Sequence, residues 1–210
     1  MHRMDPKYRS VAGALALAGA VVLVIQTGII MQRRNLGVLG ALWSMAGTFT
    51  ILTNLAMAAT FATIAATGRR LSFGWMSGLT LSMIMVGGVY HLLLAPLVSF
   101  TGLRWWTDHA LHTLFPIAML WFWLTEVTRH DPRHGRPVLW LAWPLAYAVY
   151  ALARGWATGR YPYPFLNPDR IGWPMLGVNM AGLLVVFAGL AFVLHAVGTR
   201  MPLRDHSSAR

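Results

Sequence analysis

Residues able to move protons or attack a carbonyl recur in three separate stretches of the chain. They are Thr50 and Thr53 beside Asn54, and the histidines His91, His109 and His112. A threonine hydroxyl is a weak nucleophile until a base takes its proton, and a neutral imidazole can be that base. Asn54 or a second histidine can donate to the oxyanion that forms when a carbonyl is attacked. Thr50 or Thr53 as nucleophile with His112 as base therefore suits acyl transfer or ester hydrolysis, with Asn54, His91 and His109 supporting or polarising. A histidine-only zinc site from His91, His109 and His112 is the rival chemistry. The HxxH spacing arises easily by chance, and with no carboxylate counted at membrane depth to complete such a site, no metal and no other cofactor is expected. The chain has no cysteine, which removes thiol chemistry and disulfides. No GxSxG elbow, Walker or Rossmann motif is present.

These residues must be positioned by helices in a bilayer. Of 210 residues, 57% are hydrophobic and 11% charged, against about 25% charged in soluble domains. Six apolar runs, at 10–31, 41–67, 73–99, 105–124, 138–153 and 173–197, are each long enough, or nearly so, to cross about 30 Å of hydrocarbon. The first is too long for the apolar part of a signal peptide. Alternating β patterning is absent, so the expectation is an all-α integral membrane protein, one polytopic domain over 1–210. Pro144 lies inside the fifth run, where neighbours must satisfy a freed carbonyl.

The net charge of +11 would suggest nucleic acid in a soluble protein. Here the cations lie between apolar runs, where they orient helices, and no nucleic-acid partner is expected. With the N-terminus inside, the cytoplasmic segments carry Arg3, Lys7, Arg9, Arg69, Arg70, Arg129, Arg133, Arg136, Arg200, Arg204 and Arg210. The outer segments carry Arg33, Arg34, Arg104, Arg154, Arg160 and Arg170. That bias places both termini in the cytoplasm. Arginine far outnumbers lysine, which suits a GC-rich bacterial genome and a multi-pass protein of the bacterial inner membrane.

On this topology the polar residues share a depth. At 1.5 Å per residue, Thr50, Thr53 and Asn54 lie about 10–16 Å below the outer surface, His91 about 13 Å, His109 and His112 roughly 5–10 Å, and Asn179 about 9 Å. Thr50, Thr53 and Asn54 fall on one side of their helix, and His109 and His112 share a face. Gly87 and Gly88, one turn before His91, admit a close helix neighbour. Singly, each polar residue is explained as well by interhelical hydrogen bonding; the shared depth argues for one pocket opening outward. The segment Tyr161-Pro-Tyr-Pro-Phe-Leu-Asn167 is stiffened by two prolines. It carries Tyr163 and Phe165 either over the pocket as a rim or into the interface as anchors. Glu126 and Asp131 read as surface charges of an inner loop, and Met76, Met83 and Met85 as packing rather than metal ligands.

Three stretches carry a resemblance. Phe49-Thr-Ile-Leu-Thr-Asn-Leu55, His109-Ala-Leu-His112-Thr-Leu-Phe-Pro116 and Tyr161–Asn167, in that order on a six-span chain, resemble the bacterial Pr6Pr family of membrane proteins. That family is similar to the eukaryotic androgen-induced and FAR-17a proteins, which hydrolyse fatty acid esters of hydroxy fatty acids with a threonine and a histidine. The resemblance implies His112 as the histidine and Thr50 or Thr53 as the threonine. It also implies membrane lipids as surroundings and a lipid ester as substrate. The alternative reading is a non-enzymatic membrane protein, a small transporter or lipid-binding component; the oligomeric state is left open. The charge bias makes one direct prediction: reporters fused to the C-terminus and inserted near Thr101 will report opposite sides of the membrane. A C-terminal reporter on the outer side would invert the depth argument.

Overall fold

The computed structural model describes residues 4–127 and 135–201. Arg3, Arg129, Asp131, Arg133, Arg204 and Arg210 lie outside the described residues. Among those described there is no strand, and six helices are long and apolar enough to cross a membrane. They run Pro6–Arg34, Phe49–Thr67, Phe73–Leu97, Gly102–Val127, Pro137–Thr158 and Trp173–Arg200 and are called the first to sixth spans below. Large apolar side chains such as Leu17, Val24, Val149 and Val185 face outward, as lipid contact requires.

The second, third and fourth spans form the centre, each with half of its most apolar stretch buried. The third touches the second, fourth, fifth and sixth. Met57, Met76, Met83 and Met119 fill the core with Phe61, Phe122 and Trp123. Lipid tails are as apolar as these side chains, so close packing rather than water exclusion holds the helices together. Small residues make it possible: a Cβ on Gly19 would lie 3.0 Å from the Cβ of Ala58, where the first span crosses the second. Arg9 of the first span donates from Nε to the Ala65 carbonyl at 2.7 Å and from Nη2 to that of Ala66 at 3.2 Å. Those carbonyls end the second span and have no intrahelical partner.

Two expectations are corrected. The run 41–67 is not one helix: Val38–Met45 is a separate short helix, and the second span starts at Phe49 after an extended Thr48. The break is stable because the fifth span covers its carbonyls. Tyr147 donates to Gly47 O at 2.9 Å and Tyr150 to Ala46 O at 3.0 Å, while Arg154 donates to Trp43 O and stacks over the Trp43 ring. Thr50 is therefore in the first turn of its helix, not several turns along it. Glu126, second, is not a surface charge. It is 1% exposed and pairs with Arg70 at 2.8 Å.

Prolines shape the third and fourth spans. Pro96 and Pro116 each lack the N–H that would bond four residues back, and each follows a π-helical turn, Tyr90–Leu94 and Ala110–Leu114. Such turns absorb a defect in the ladder and recur at functional sites. Pro144 is the third residue of the α-helical part of its span, which follows a 3₁₀ turn over Pro137–Leu141. A missing N–H is tolerated in that first turn.

The carbonyl of His112, four residues before Pro116, faces Gly87, where a Cβ would stand 3.0 Å from its oxygen. Gly88 has nothing within 4 Å, so the close approach belongs to Gly87 alone. Gly87→Ala is expected to destabilise the protein by about 1–3 kcal/mol through overpacking, and Gly88→Ala to be neutral or slightly stabilising. Thermal unfolding of both variants in detergent checks the contrast.

Candidate functional site

Thr50 enters the site from the first turn of the second span. Its Oγ1 lies 3.3 Å from His112 Nε2. The other ring nitrogen of His112, Nδ1, lies 3.0 Å from the Asp108 carbonyl and 3.2 Å from Asp108 Oδ1. Both of those oxygens only accept when the carboxylate is ionised, so the imidazole proton belongs on Nδ1. Nε2 is then left with its lone pair toward the threonine hydroxyl. Tyr90 donates to Asp108 Oδ2, so both carboxylate oxygens are held. The Tyr90 ring also stacks on the imidazole, centroids 3.9 Å apart and planes at 14°.

Hydroxyl, imidazole and carboxylate thus stand in series, an arrangement in which an imidazole can serve as base toward the hydroxyl while the carboxylate orients it. Asp108 and Thr50 are 9% and 8% exposed. Asp108 corrects the expectation that no carboxylate lies at this depth. Its signal is present in the sequence as an acid four residues before His112, one turn away on the same helix. The π-turn from Ala110 is why His109, expected to share the His112 face, does not join it: with i→i+5 bonding, three residues no longer bring two side chains into line.

The other residues singled out from the sequence separate into groups by partner. Thr53 is fully buried and accepts from Trp143 Nε1 at 3.0 Å. His91 is exposed and pairs with Thr113 at 2.9 Å. His109 stacks on Trp105 and bonds its carbonyl. The three histidines thus have different partners, which explains why they do not converge on a common point. Asn54, one turn after Thr50, donates to Thr50 O at 2.8 Å and Leu111 O at 3.3 Å and so ties the second span to the fourth. Its Oδ1 is buried with no hydrogen-bond partner.

Beside Thr50 lies a cavity of about 90 Å³ between the third, fifth and sixth spans. Thr50, Tyr90, Tyr147 and Tyr163 are the polar residues of its wall; Val86, Val89, Leu141, Pro144, Met180 and Phe187 are typical of the rest. Tyr163 and Phe165 both line it, their rings stacked 5.2 Å apart and nearly parallel. Tyr163, Phe165 and Leu166 of the 161–167 segment are therefore part of the cavity's wall. Tyr163 also meets the start of the second span: its phenol oxygen accepts from Phe49 N at 3.0 Å, and the Thr50 hydroxyl is among its hydrogen-bonding neighbours. Burial raises the pKa of this phenol above the ordinary tyrosine value, although its hydrogen bonds with Thr50 and Phe49 oppose the shift. The group remains protonated.

The chain matches no family model, no curated protein and no solved structure. What the site can do follows from its own geometry: a hydroxyl paired with an oriented base, beside an apolar recess.

Asn179 lies away from that series. Its Nδ2 donates to Phe165 O at 2.9 Å and pins the 161–167 segment to the sixth span. Replacing it with leucine removes a bond worth about 1 kcal/mol. Cleavage of the 159–172 connection by a protease acting on the opened state is expected to speed up by about fivefold. An unchanged rate would show that the segment is held without that bond.

Proposed function

We propose that this polytopic helical membrane protein is a hydrolase of lipid esters, with Thr50 as nucleophile, His112 as general base and Asp108 as the group that orients it. The single observation carrying the reading is the continuous relay from Thr50 Oγ1 through His112 to Asp108, with contacts of 3.3 and 3.2 Å, opening beside a hydrocarbon-lined cavity. Interhelical hydrogen bonding alone does not require a threonine, an imidazole of defined tautomer and a buried carboxylate in series. Kinship with the Pr6Pr family is part of the same proposal: its histidine would map to His112 and its threonine, for which the sequence allows Thr50 or Thr53, to Thr50.

An acyl chain in the cavity brings its ester carbonyl to Thr50. His112 Nε2 takes the hydroxyl proton as Oγ1 attacks the carbonyl carbon, and the carbonyl π pair moves onto its oxygen. When the tetrahedral species collapses, the C–O bond to the leaving alcohol breaks and His112 gives that alcohol its proton. Water then attacks the acyl-threonine with His112 again as base, releasing the fatty acid and restoring the Thr50 hydroxyl. Asp108 steadies the imidazolium through Nδ1, and the stacked Tyr90 ring favours the cation by its π face.

Turnover of long-chain lipid esters and labelling by a fluorophosphonate test this reading together. Thr50→Ala should abolish both, whereas Thr53→Ala should keep covalent labelling because Thr53 is committed to Trp143. His112→Ala removes a proton transfer worth typically 10²–10⁴ in rate. Asp108→Asn, by removing the charge that steadies the imidazolium, should lower kcat by up to about 10⁴ while the protein still extracts as a folded species, the Asp108 backbone carbonyl still holding Nδ1. Full activity in both Thr50→Ala and His112→Ala would refute the mechanism. A parent protein inert on every lipid ester would favour a lipid-binding or transport role.

A further inference from the structure

Attack by Thr50 puts negative charge on the carbonyl oxygen, and a hydrolase needs a donor already aimed at that charge. Asn54 is the donor the sequence suggests, but both contacts of its Nδ2 are backbone carbonyls, those of Thr50 and Leu111. His91 and His109 are engaged with Thr113 and Trp105. Tyr163 remains. Resting on the hydrolase reading above, we propose that Tyr163 is a catalytic residue whose phenol O–H donates to the oxyanion of the tetrahedral intermediate.

Three observations converge on it. Tyr163 is on the wall of the cavity with Thr50. Its oxygen accepts from the Phe49 N–H at 3.0 Å, which leaves its own hydrogen to an oxygen beside it, in the resting site the Thr50 or Tyr147 hydroxyl. Thr50, whose hydroxyl attacks, directly follows the Phe49 whose N–H the phenol accepts, and its hydroxyl interacts with the phenol; an oxyanion formed on a carbon bonded to Thr50 Oγ1 arises next to the same phenol. The surroundings hold the group still. Its ring is stacked on Phe165, the Phe165 carbonyl is bound by Asn179, and Leu166 of the same segment is buried. A donor fixed before the reaction costs no reorganisation during it. The N–H groups at the start of the second span carry partial positive charge, and their pull on the phenol oxygen makes its hydrogen a stronger donor. No proton leaves Tyr163 in this role: the hydrogen bond tightens as charge develops and relaxes when the alcohol departs.

Tyr163→Phe keeps the ring and its stacking, so it isolates the hydroxyl. With a long-chain ester and its thionoester analogue, whose sulfur is a poor hydrogen-bond acceptor, kcat on the oxygen ester should fall about 10²–10³-fold with KM little changed. The preference for oxygen over sulfur ester should collapse in the same variant, a readout that loosened packing would not move. A kcat within about twofold of the parent, or an unaltered oxygen-over-sulfur preference, overturns the assignment. Thr50→Ala in the same assays separates the two levels. Loss of turnover there with normal turnover in Tyr163→Phe sinks the oxyanion role alone. Normal turnover in Thr50→Ala sinks the hydrolase reading and this inference with it.

Discussion

Asp108 carries a carboxylate into the fourth span, at a place where an unsatisfied charge would be costly. Its solvation has to come from side chains, and the structure supplies it from two directions: Tyr90 on one oxygen, His112 on the other. Much of the candidate site's geometry follows from that need. A histidine held by an acceptor at Nδ1 must present a bare Nε2, and Thr50 stands opposite it. The tyrosine that satisfies the second oxygen also lays its ring on the imidazole. Remove the carboxylate, and Tyr90 loses its acceptor while His112 Nδ1 keeps only the Asp108 backbone carbonyl.

The third and fourth spans reach this arrangement through imperfect helices. Pro96 and Pro116 interrupt the backbone ladder, and the π-turns ahead of them carry Tyr90 and His112. The His112 carbonyl, within the π-turn ahead of Pro116, is accommodated by the absent side chain of Gly87. Backbone irregularity at membrane depth survives only where protein covers it. Here the covering surface is the partner span itself, so the irregularities that place the two rings also bring their helices together.

How much of this the sequence discloses depends on range. The six apolar runs reveal the helical, membrane-spanning class because length and hydropathy are local properties. Ala46, Gly47 and Thr48 do not look like a break, since small residues pass for helix; the hydroxyls and guanidinium that stabilise it lie about a hundred positions away on the fifth span. Thr50 and Thr53 are indistinguishable in the sequence for a similar reason. Both lie within one arc of the helix, and Trp143, 90 residues further on, is what engages Thr53. Asp108 differs, because its relation to His112 is local and readable from spacing. The separation of His109 from His112 is not, because a π-turn changes the phase without changing the spacing. Glu126 resembles a loop charge until the fourth span is seen to continue through it.

The contact between Phe49 and Tyr163 spans 114 residues, and it has a consequence for biosynthesis. Once the fourth span has been made, the chain already holds Thr50, Asp108 and His112. The hydroxyls of Tyr147 and Tyr150, which hold the carbonyls just ahead of the second span, arrive with the fifth span, and Tyr163, which receives the Phe49 N–H, emerges only after that. Until then the helix bearing Thr50 lacks the partners that hold its first turn. A chain truncated before the fifth span would retain every member of the relay and still lack the architecture that aligns it.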